Sequence, residues 1–142
     1  MKLKIATVIL TLVAQPVFAL DVGDRFSLGT ATVRNTVTKI LERGENSVDF
    51  IAEHTERDAK EHCYDPAHAG GHPDKGKCIR DRIGYPSKYH IQCRPASIRM
   101  DDIVFVPQVG GGPWVAKNAK ENYIIQGDRA YFLACKKKGK NS

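Results

Sequence analysis

The four cysteines constrain the possible folds of this chain more than any other feature of its sequence. They stand at Cys63, Cys78, Cys93 and Cys135 in a chain of 142 residues. An even number fits two disulfides, but disulfides persist only in an oxidising compartment. Whether the cysteines pair therefore depends on the compartment, which the amino terminus indicates.

Residues 1–19 have the pattern of a secretory signal peptide. Lys2 and Lys4 precede an apolar run at 5–14. That run is too short for a membrane span, which takes about 20 apolar residues. Small residues at the positions that a signal peptidase reads predict cleavage after Ala19. We therefore expect export, to a periplasm or to the cell exterior, and no membrane span in the mature chain.

Three pairings of the four cysteines are possible, and spacing alone does not choose among them. We prefer Cys63–Cys78, which closes a short loop rich in glycine. The second bridge is then Cys93–Cys135, which ties a predicted strand to the end of the domain. Bridges of this kind supplement the modest core that an exported domain of this size can bury.

Net charge is concentrated at the two ends of the chain. There are 22 Lys and Arg residues against 16 Asp and Glu, a formal charge of +6. Lys2 and Lys4 belong to the predicted signal, and the other excess lysines lie after residue 135. We predict one formally neutral globular domain over 20–135 and a basic flexible tail over 136–142. A neutral domain disfavours nucleic acid as a partner, since that binding needs a basic surface.

Alternation of apolar and polar residues predicts a domain made mainly of strands. A hairpin is expected to turn at 44–46, because its arms at 30–43 and 47–53 are β-branched or alternating. The other predicted strands are 88–93, 103–106, and a closing hairpin of 123–125 with 130–135. Short helices are predicted at 56–62, where Thr55 and Asp58 approximate a capping box, and at 113–122. The fold class is therefore α+β, mainly antiparallel β as a small barrel or curved sheet, with two short helices and two disulfides.

A histidine-rich stretch interrupts these patterns, and two interpretations compete for it. It is either a polar loop closed by a disulfide or a metal site. The residues with ligand chemistry are His62, Cys63, Asp65, His68, His72, Asp74 and Cys78. Oxidised cysteines are lost as ligands, and the spacing matches no standard zinc pattern. The metal alternative then rests on His62, His68 and His72, and we expect no cofactor.

Acid–base chemistry is a further possibility for this chain. His54, Glu56 and His90 are residue types that a small secreted hydrolase or ribonuclease uses. A histidine with a carboxylate could move the proton of a 2′-hydroxyl, while an arginine stabilises the charged phosphorus centre. No spacing singles these residues out, and no serine lies in a nucleophile motif.

The first hypothesis is an exported, disulfide-stabilised binding or inhibitory protein that acts on another protein. Loops held on a rigid sheet often carry such function. The expected contact residues are His68, His72 and Asp74 in one loop and Trp114 beside the glycine run at 110–112. Trp114 has a second interpretation, as a core side chain beneath a short helix. The hydrolase is the alternative function, and metal binding through the histidines is the minor one.

Overall fold

The computed structural model describes residues 20–29, 33–66 and 73–136. The predicted signal peptide, and the predicted tail beyond residue 136, lie outside the described residues. In the described part, eight strands form one sheet in which each strand is antiparallel to the next along the chain. The strands are β1 (Arg25–Phe26), β2 (Asn35–Arg43), β3 (Ser47–His54), β4 (Gly84–Cys93), β5 (Ala96–Met100), β6 (Ile103–Val106), β7 (Trp114–Ala116) and β8 (Ile124–Ile125).

The sheet curls into a half-barrel, in agreement with the expected curved sheet. Part of the bend arises in β2, where the register against β3 shifts after Val37 and again after Ile40. Each shift places an extra residue in one strand, which bends that strand and increases its twist. The predicted hairpin between these strands is confirmed, with Gly44 N donating to Ser47 O at 2.7 Å.

The core lies on the concave face of the sheet. Alternate residues of β3, Val48, Phe50 and Ala52, are fully buried, as the period of a strand requires. The Phe50 ring stacks on Tyr89 of β4, with 5.1 Å between ring centroids. Phe26 of β1 meets both rings edge-on. This aromatic trio packs β1, β3 and β4 against one another.

Three helices lie in the described part of the chain: α1 (Glu56–Tyr64), α2 (Lys75–Arg82) and α3 (Asp128–Cys135). The prediction of α1 is confirmed together with its capping box. Asp58 N donates to Thr55 Oγ1, and Thr55 N donates to Asp58 Oδ2. None of the described helices has the length and apolarity that crossing a bilayer requires.

Both predicted disulfides are present. Cys63–Cys78 joins the end of α1 to α2, and Cys93–Cys135 joins the end of β4 to the end of α3. Residues 67–72, between the first pair, lie outside the described part. Paired cysteines are consistent with an exported protein, because disulfides are rare in a reducing cytoplasm.

The helix predicted at 113–122 is wrong. Trp114–Ala116 forms β7 instead, with Val115 paired to Val106 of β6 and to Ile124 of β8. The helical spacing of apolar residues misled the prediction, because backbone pairing with β6 outweighs the weak local preference of a short segment. As a result, the Trp114 ring lies in the core.

The strand predicted at 130–135 is also wrong, since this segment is α3. Ala130 and Ala134 are spaced i, i+4 and are both fully buried, so the helix presents a small-residue face to the sheet. The Tyr131 hydroxyl donates to Cys93 O at 2.9 Å and so fixes the helix beside β4. The apolar run at 130–135 is short enough to be compatible with a strand or a helix, and only its packing in the fold decides between them.

Candidate functional site

Charged side chains occupy the convex face of the sheet, opposite the core. The register pairs Asp49 with His90 and His90 with Arg99, so β3, β4 and β5 place these residues in one row. Paired residues on neighbouring strands project to the same face. Since Val48 and Phe50, on either side of Asp49, are buried, this row faces outward.

His90 and Asp49 form the central contact of the row. His90 Nδ1 is hydrogen-bonded to Asp49 Oδ1, and the two side chains are 27% and 24% exposed. A carboxylate only accepts, so Nδ1 carries the proton and, in the neutral ring, Nε2 keeps its lone pair. No described residue hydrogen-bonds to Nε2. A histidine oriented in this way can accept a proton or bind an anion after protonation.

A groove of about 610 Å³ lies beside His90 and Arg99 of this row. Its polar and charged lining residues are Lys88, His90, Arg99, Asp101, Asp102 and Asn118. The groove thus combines two permanent cations, one histidine and two carboxylates on an open surface.

The turn between β5 and β6 builds one wall of the groove. Lys88 N donates to Asp101 Oδ1 at 3.0 Å, and Asp101 N donates to Lys88 O at 2.8 Å. Asn118 forms a second clamp, because its Oδ1 accepts from Val104 N and its Nδ2 donates to Asp102 O, both at 2.9 Å. These polar groups are engaged with the backbone. Asp101 and Asn118 therefore shape the wall of the groove, and the side chains of Lys88 and Arg99 are not involved in these contacts.

Lys88 and Arg99 supply the available positive charge. Both residues are exposed, and neither side chain forms an ion pair or hydrogen bond with another described residue. Their head groups lie on the same face as His90, Arg99 being its cross-strand partner and Lys88 lying two residues along β4. Arginine and lysine in such a cluster bind carboxylates and phosphates, which accept several charge-assisted hydrogen bonds.

An apolar strip adjoins the groove on the same convex face. We define it as Val106, Val115 and Ile124, which the register places side by side across β6, β7 and β8. Ile124 is 58% exposed. Val104, at the edge of the groove, lies on the same strand as Val106 and connects the two surfaces. The convex face thus offers charge and apolar area together.

The structure does not bring His54 and Glu56 together with His90. His54 pairs with Gly84 at the far end of β3, about 16 Å along the strand from Asp49, which is paired with His90. His54 Nδ1 donates to Arg34 O at 2.8 Å. Glu56 is exposed on α1. A hydrogen bond from the Lys60 ammonium, with its charge, lowers the pKa of the Glu56 carboxyl.

Of the residues predicted for the loop surfaces, Asp74 and Trp114 are described, and they lie in separate parts of the fold. His68 and His72 lie outside the described residues. Asp74 caps α2, where its Oδ1 accepts from Lys77 N at 3.0 Å. Trp114 is 2% exposed, and its Nε1 donates to Asp128 Oδ1 at 2.9 Å. Asp74 and Trp114 therefore hold local structure, and the ring of Trp114 does not reach the surface.

The metal alternative has one described residue, His62, which is buried in α1. Its companions His68 and His72 lie outside the described part, and both neighbouring cysteines form a disulfide. In the described ranges, no group of three or more His, Cys, Asp and Glu residues is arranged to hold a metal ion.

Asp49 and Arg99 are the functional candidates that sequence reasoning missed. The signal for Asp49 was present, since the alternation of β3 assigns it to the polar face. Its partnership with His90 depends on the register between β3 and β4, which are separated by two helices and a disulfide. No local pattern encodes that register.

No protein-family model, curated protein or solved structure matches this chain.

Proposed function

We infer that this chain is an exported binding protein whose convex sheet face engages another protein, with the groove receiving an acidic group of that partner. The observation that carries this inference is that Lys88 and Arg99 lie unpaired beside His90 in one open groove, although Asp101 and Asp102 also line it. Two of these three side chains have no partner among the described residues. A cationic group that remains exposed can pair with a partner without breaking an internal contact.

The apolar strip supports the same surface. Protein interfaces combine an apolar centre with a polar rim, and arginine is enriched in their hot spots. Here Val106, Val115 and Ile124 lie beside the charged groove on one continuous face. Inhibition of an enzyme is one form that such binding takes, with the groove covering an acidic site.

Charge reversal tests the proposal. The oxidised chain is immobilised and exposed to the exported proteins of its source cells, and the captured partner is then purified for binding measurements. Arg99→Glu should lose the partner and Arg82→Glu should keep it, because Arg82 lies on α2 outside the groove. Binding to the wild type should weaken with salt, as expected for exposed charges. Equal binding by both variants, or no capture by the wild type, would contradict the proposal.

A hydrolase is the second candidate, and the contact between His90 and Asp49 favours it. In a ribonuclease reaction, a 2′-hydroxyl would attack phosphorus while its proton passes to His90 Nε2. The 5′-oxygen would leave with a proton from water, and Arg99 would stabilise the anionic centre. This candidate differs from the predicted site, because it uses Asp49 where His54 and Glu56 were expected.

An RNA cleavage assay separates the two functions. If the chain is a ribonuclease, His90→Ala should reduce single-stranded RNA cleavage by about 10²- to 10⁴-fold. Asp49→Asn should also reduce cleavage, whereas His54→Ala should leave it unchanged. A binding protein should show no cleavage that depends on His90, and capture of its partner should survive Asp49→Asn better than Arg99→Glu.

A further inference from the structure

A second cavity, of about 300 Å³, opens on the concave side of the sheet and is separate from the groove. Its apolar wall includes Leu28, Val33, Met100 and Ile125. The volume is at the lower end of the range for small-molecule pockets, roughly 300–1,000 Å³. Such pockets are mostly apolar and carry a few polar groups that orient the ligand.

Two buried polar side chains line this cavity. Asn35 is 9% exposed and Tyr89 is 2% exposed. Neither side chain hydrogen-bonds to another described residue, and the polar atoms of both are not fully enclosed, so they are open to a ligand in the cavity. Burial, with a smaller contribution from the Asp101 charge, raises the pKa of the Tyr89 phenol. The Tyr89 hydroxyl is therefore a permanent hydrogen-bond donor.

His54 adds an acceptor of defined orientation. Its Nδ1 lies 2.8 Å from Arg34 O, and a carbonyl only accepts, so Nδ1 carries the proton. Nε2 of the neutral ring is then a lone-pair acceptor, and His54 lines the cavity. The residue that sequence reasoning assigned to catalysis thus takes part in a different site.

Tyr85 stands at the rim. It has φ of 55°, a left-handed conformation that is disfavoured for a residue with a Cβ. The strain occurs where the register between β3 and β4 shifts, after Gly84. The Tyr85 side chain is 70% exposed and still lines the cavity. The backbone thus holds an exposed aromatic ring at the entrance, and strained residues of this kind cluster at functional sites.

We propose that this cavity binds a small uncharged aromatic compound that carries a hydroxyl group, a phenol in its simplest form. No Asp, Glu, Lys or Arg is among the described lining residues, so no permanent charge there favours a charged ligand. The ring packs against Met100 and Tyr85, because sulfur and aromatic faces both favour such contacts. The hydroxyl donates to His54 Nε2 and accepts from the Asn35 amide, with the Tyr89 hydroxyl as a second donor.

Titration of the intact oxidised chain with phenol, followed by amide NMR, tests this proposal. Saturable shifts should cluster at Asn35, Tyr85 and Ser87. Benzene should bind about three- to tenfold more weakly than phenol, which corresponds to one net hydrogen bond. Benzoate should not bind, because no permanent cation among the described lining residues offsets its charge. Absence of saturation by phenol well above about 1 mM would overturn the proposal.

Matched variants locate the site. Ser87 pairs with buried Ala52 and faces the cavity, so Ser87→Leu should abolish phenol binding. The same substitution at Ser97, on the convex face opposite Gln92, should leave binding unchanged. Asn35→Ala should weaken phenol about three- to tenfold without weakening benzene. Thermal unfolding of each variant confirms folding, and equal phenol binding by Ser87→Leu and Ser97→Leu would contradict the proposal.

Discussion

Arg25 donates to one carboxylate oxygen of Asp58 through both Nε and Nη2, at 2.8 and 2.5 Å. The other oxygen, Oδ2, accepts from Thr36 Oγ1 at 2.7 Å and from Thr55 N at 2.9 Å. The Asp58 side chain is fully buried and that of Arg25 is 11% exposed. One carboxylate therefore joins β1, β2 and the start of α1.

Removal of this carboxylate should be strongly destabilising. Asp58→Ala leaves the largely buried Arg25 guanidinium with only the more exposed Glu61 as a partner, and it removes the Asp58 half of the capping box of α1. We expect a loss of about 3 to 5 kcal/mol in the free energy of unfolding, measured by urea denaturation. Glu61→Ala is the matched control, since Glu61 pairs with the same arginine but is 42% exposed. It should cost about 1 kcal/mol or less, and equal losses would contradict the assigned role of Asp58.

Acid should weaken the fold through the same residue. Burial alone would raise the pKa of the Asp58 carboxyl, but hydrogen bonds from Thr36, Thr55 and Arg25 together hold that pKa below its ordinary value of 3.8. At a pH between the lowered pKa of Asp58 in the folded chain and its ordinary pKa in the unfolded chain, the Asp58 carboxyl is protonated mainly in the unfolded chain. The stability contributed by Asp58 is thus complete above the unfolded pKa and is lost as the pH falls through the folded pKa.

Urea midpoints measured across this acidic range should therefore decline more steeply for the wild type than for Asp58→Asn. The asparagine variant cannot titrate, although it is less stable at neutral pH. If the urea midpoints of the two proteins fell equally as the pH was lowered, other carboxyls would dominate the acid sensitivity.

Gly127 is required by the packing of α3. A Cβ at this position would lie 2.8 Å from the Trp114 ring and 2.9 Å from Ile98 Cδ1. Its φ of −80° suits any residue, so the constraint is steric. We expect Gly127→Ala to lower the free energy of unfolding by about 1 to 3 kcal/mol.

Gly76→Ala, in the first turn of α2, provides the contrast for this measurement. The nearest group to its added Cβ is the flexible end of Arg80, at 3.2 Å. Alanine is also the better helix former, so a small gain of up to about 1 kcal/mol is expected. A similar loss at both glycines would exclude overpacking against Trp114 as the cause.

The two disulfides should differ in their contribution to stability. Cys93 and Cys135 are 42 residues apart in sequence, and Cys63 and Cys78 are 15 apart. From loop-closure entropy, replacing both cysteines of a pair by serine should cost about 4 kcal/mol for the longer loop and about 3 kcal/mol for the shorter. Urea denaturation of the two double variants measures these losses, and the reverse order would contradict the entropic explanation.

Local sequence was sufficient for several elements of this protein. The β-branched arms and the turn at 44–46 predicted the hairpin of β2 and β3, because each arm carries its own strand preference. Thr55 and Asp58 predicted the start of α1, since a capping box is formed within four residues. The cysteine pairing was also anticipated, through the glycine-rich loop between Cys63 and Cys78.

Tertiary structure alone decided the rest. Trp114 enters a strand because β6 offers its backbone hydrogen bonds, and 130–135 forms a helix because Ala130 and Ala134 allow close packing on the sheet. Both outcomes depend on residues distant in sequence. The row of Asp49, His90 and Arg99 depends in the same way on the register of three strands. A shift of one residue would turn every side chain of a strand to the opposite face, so strand pairing determines which polar residues meet.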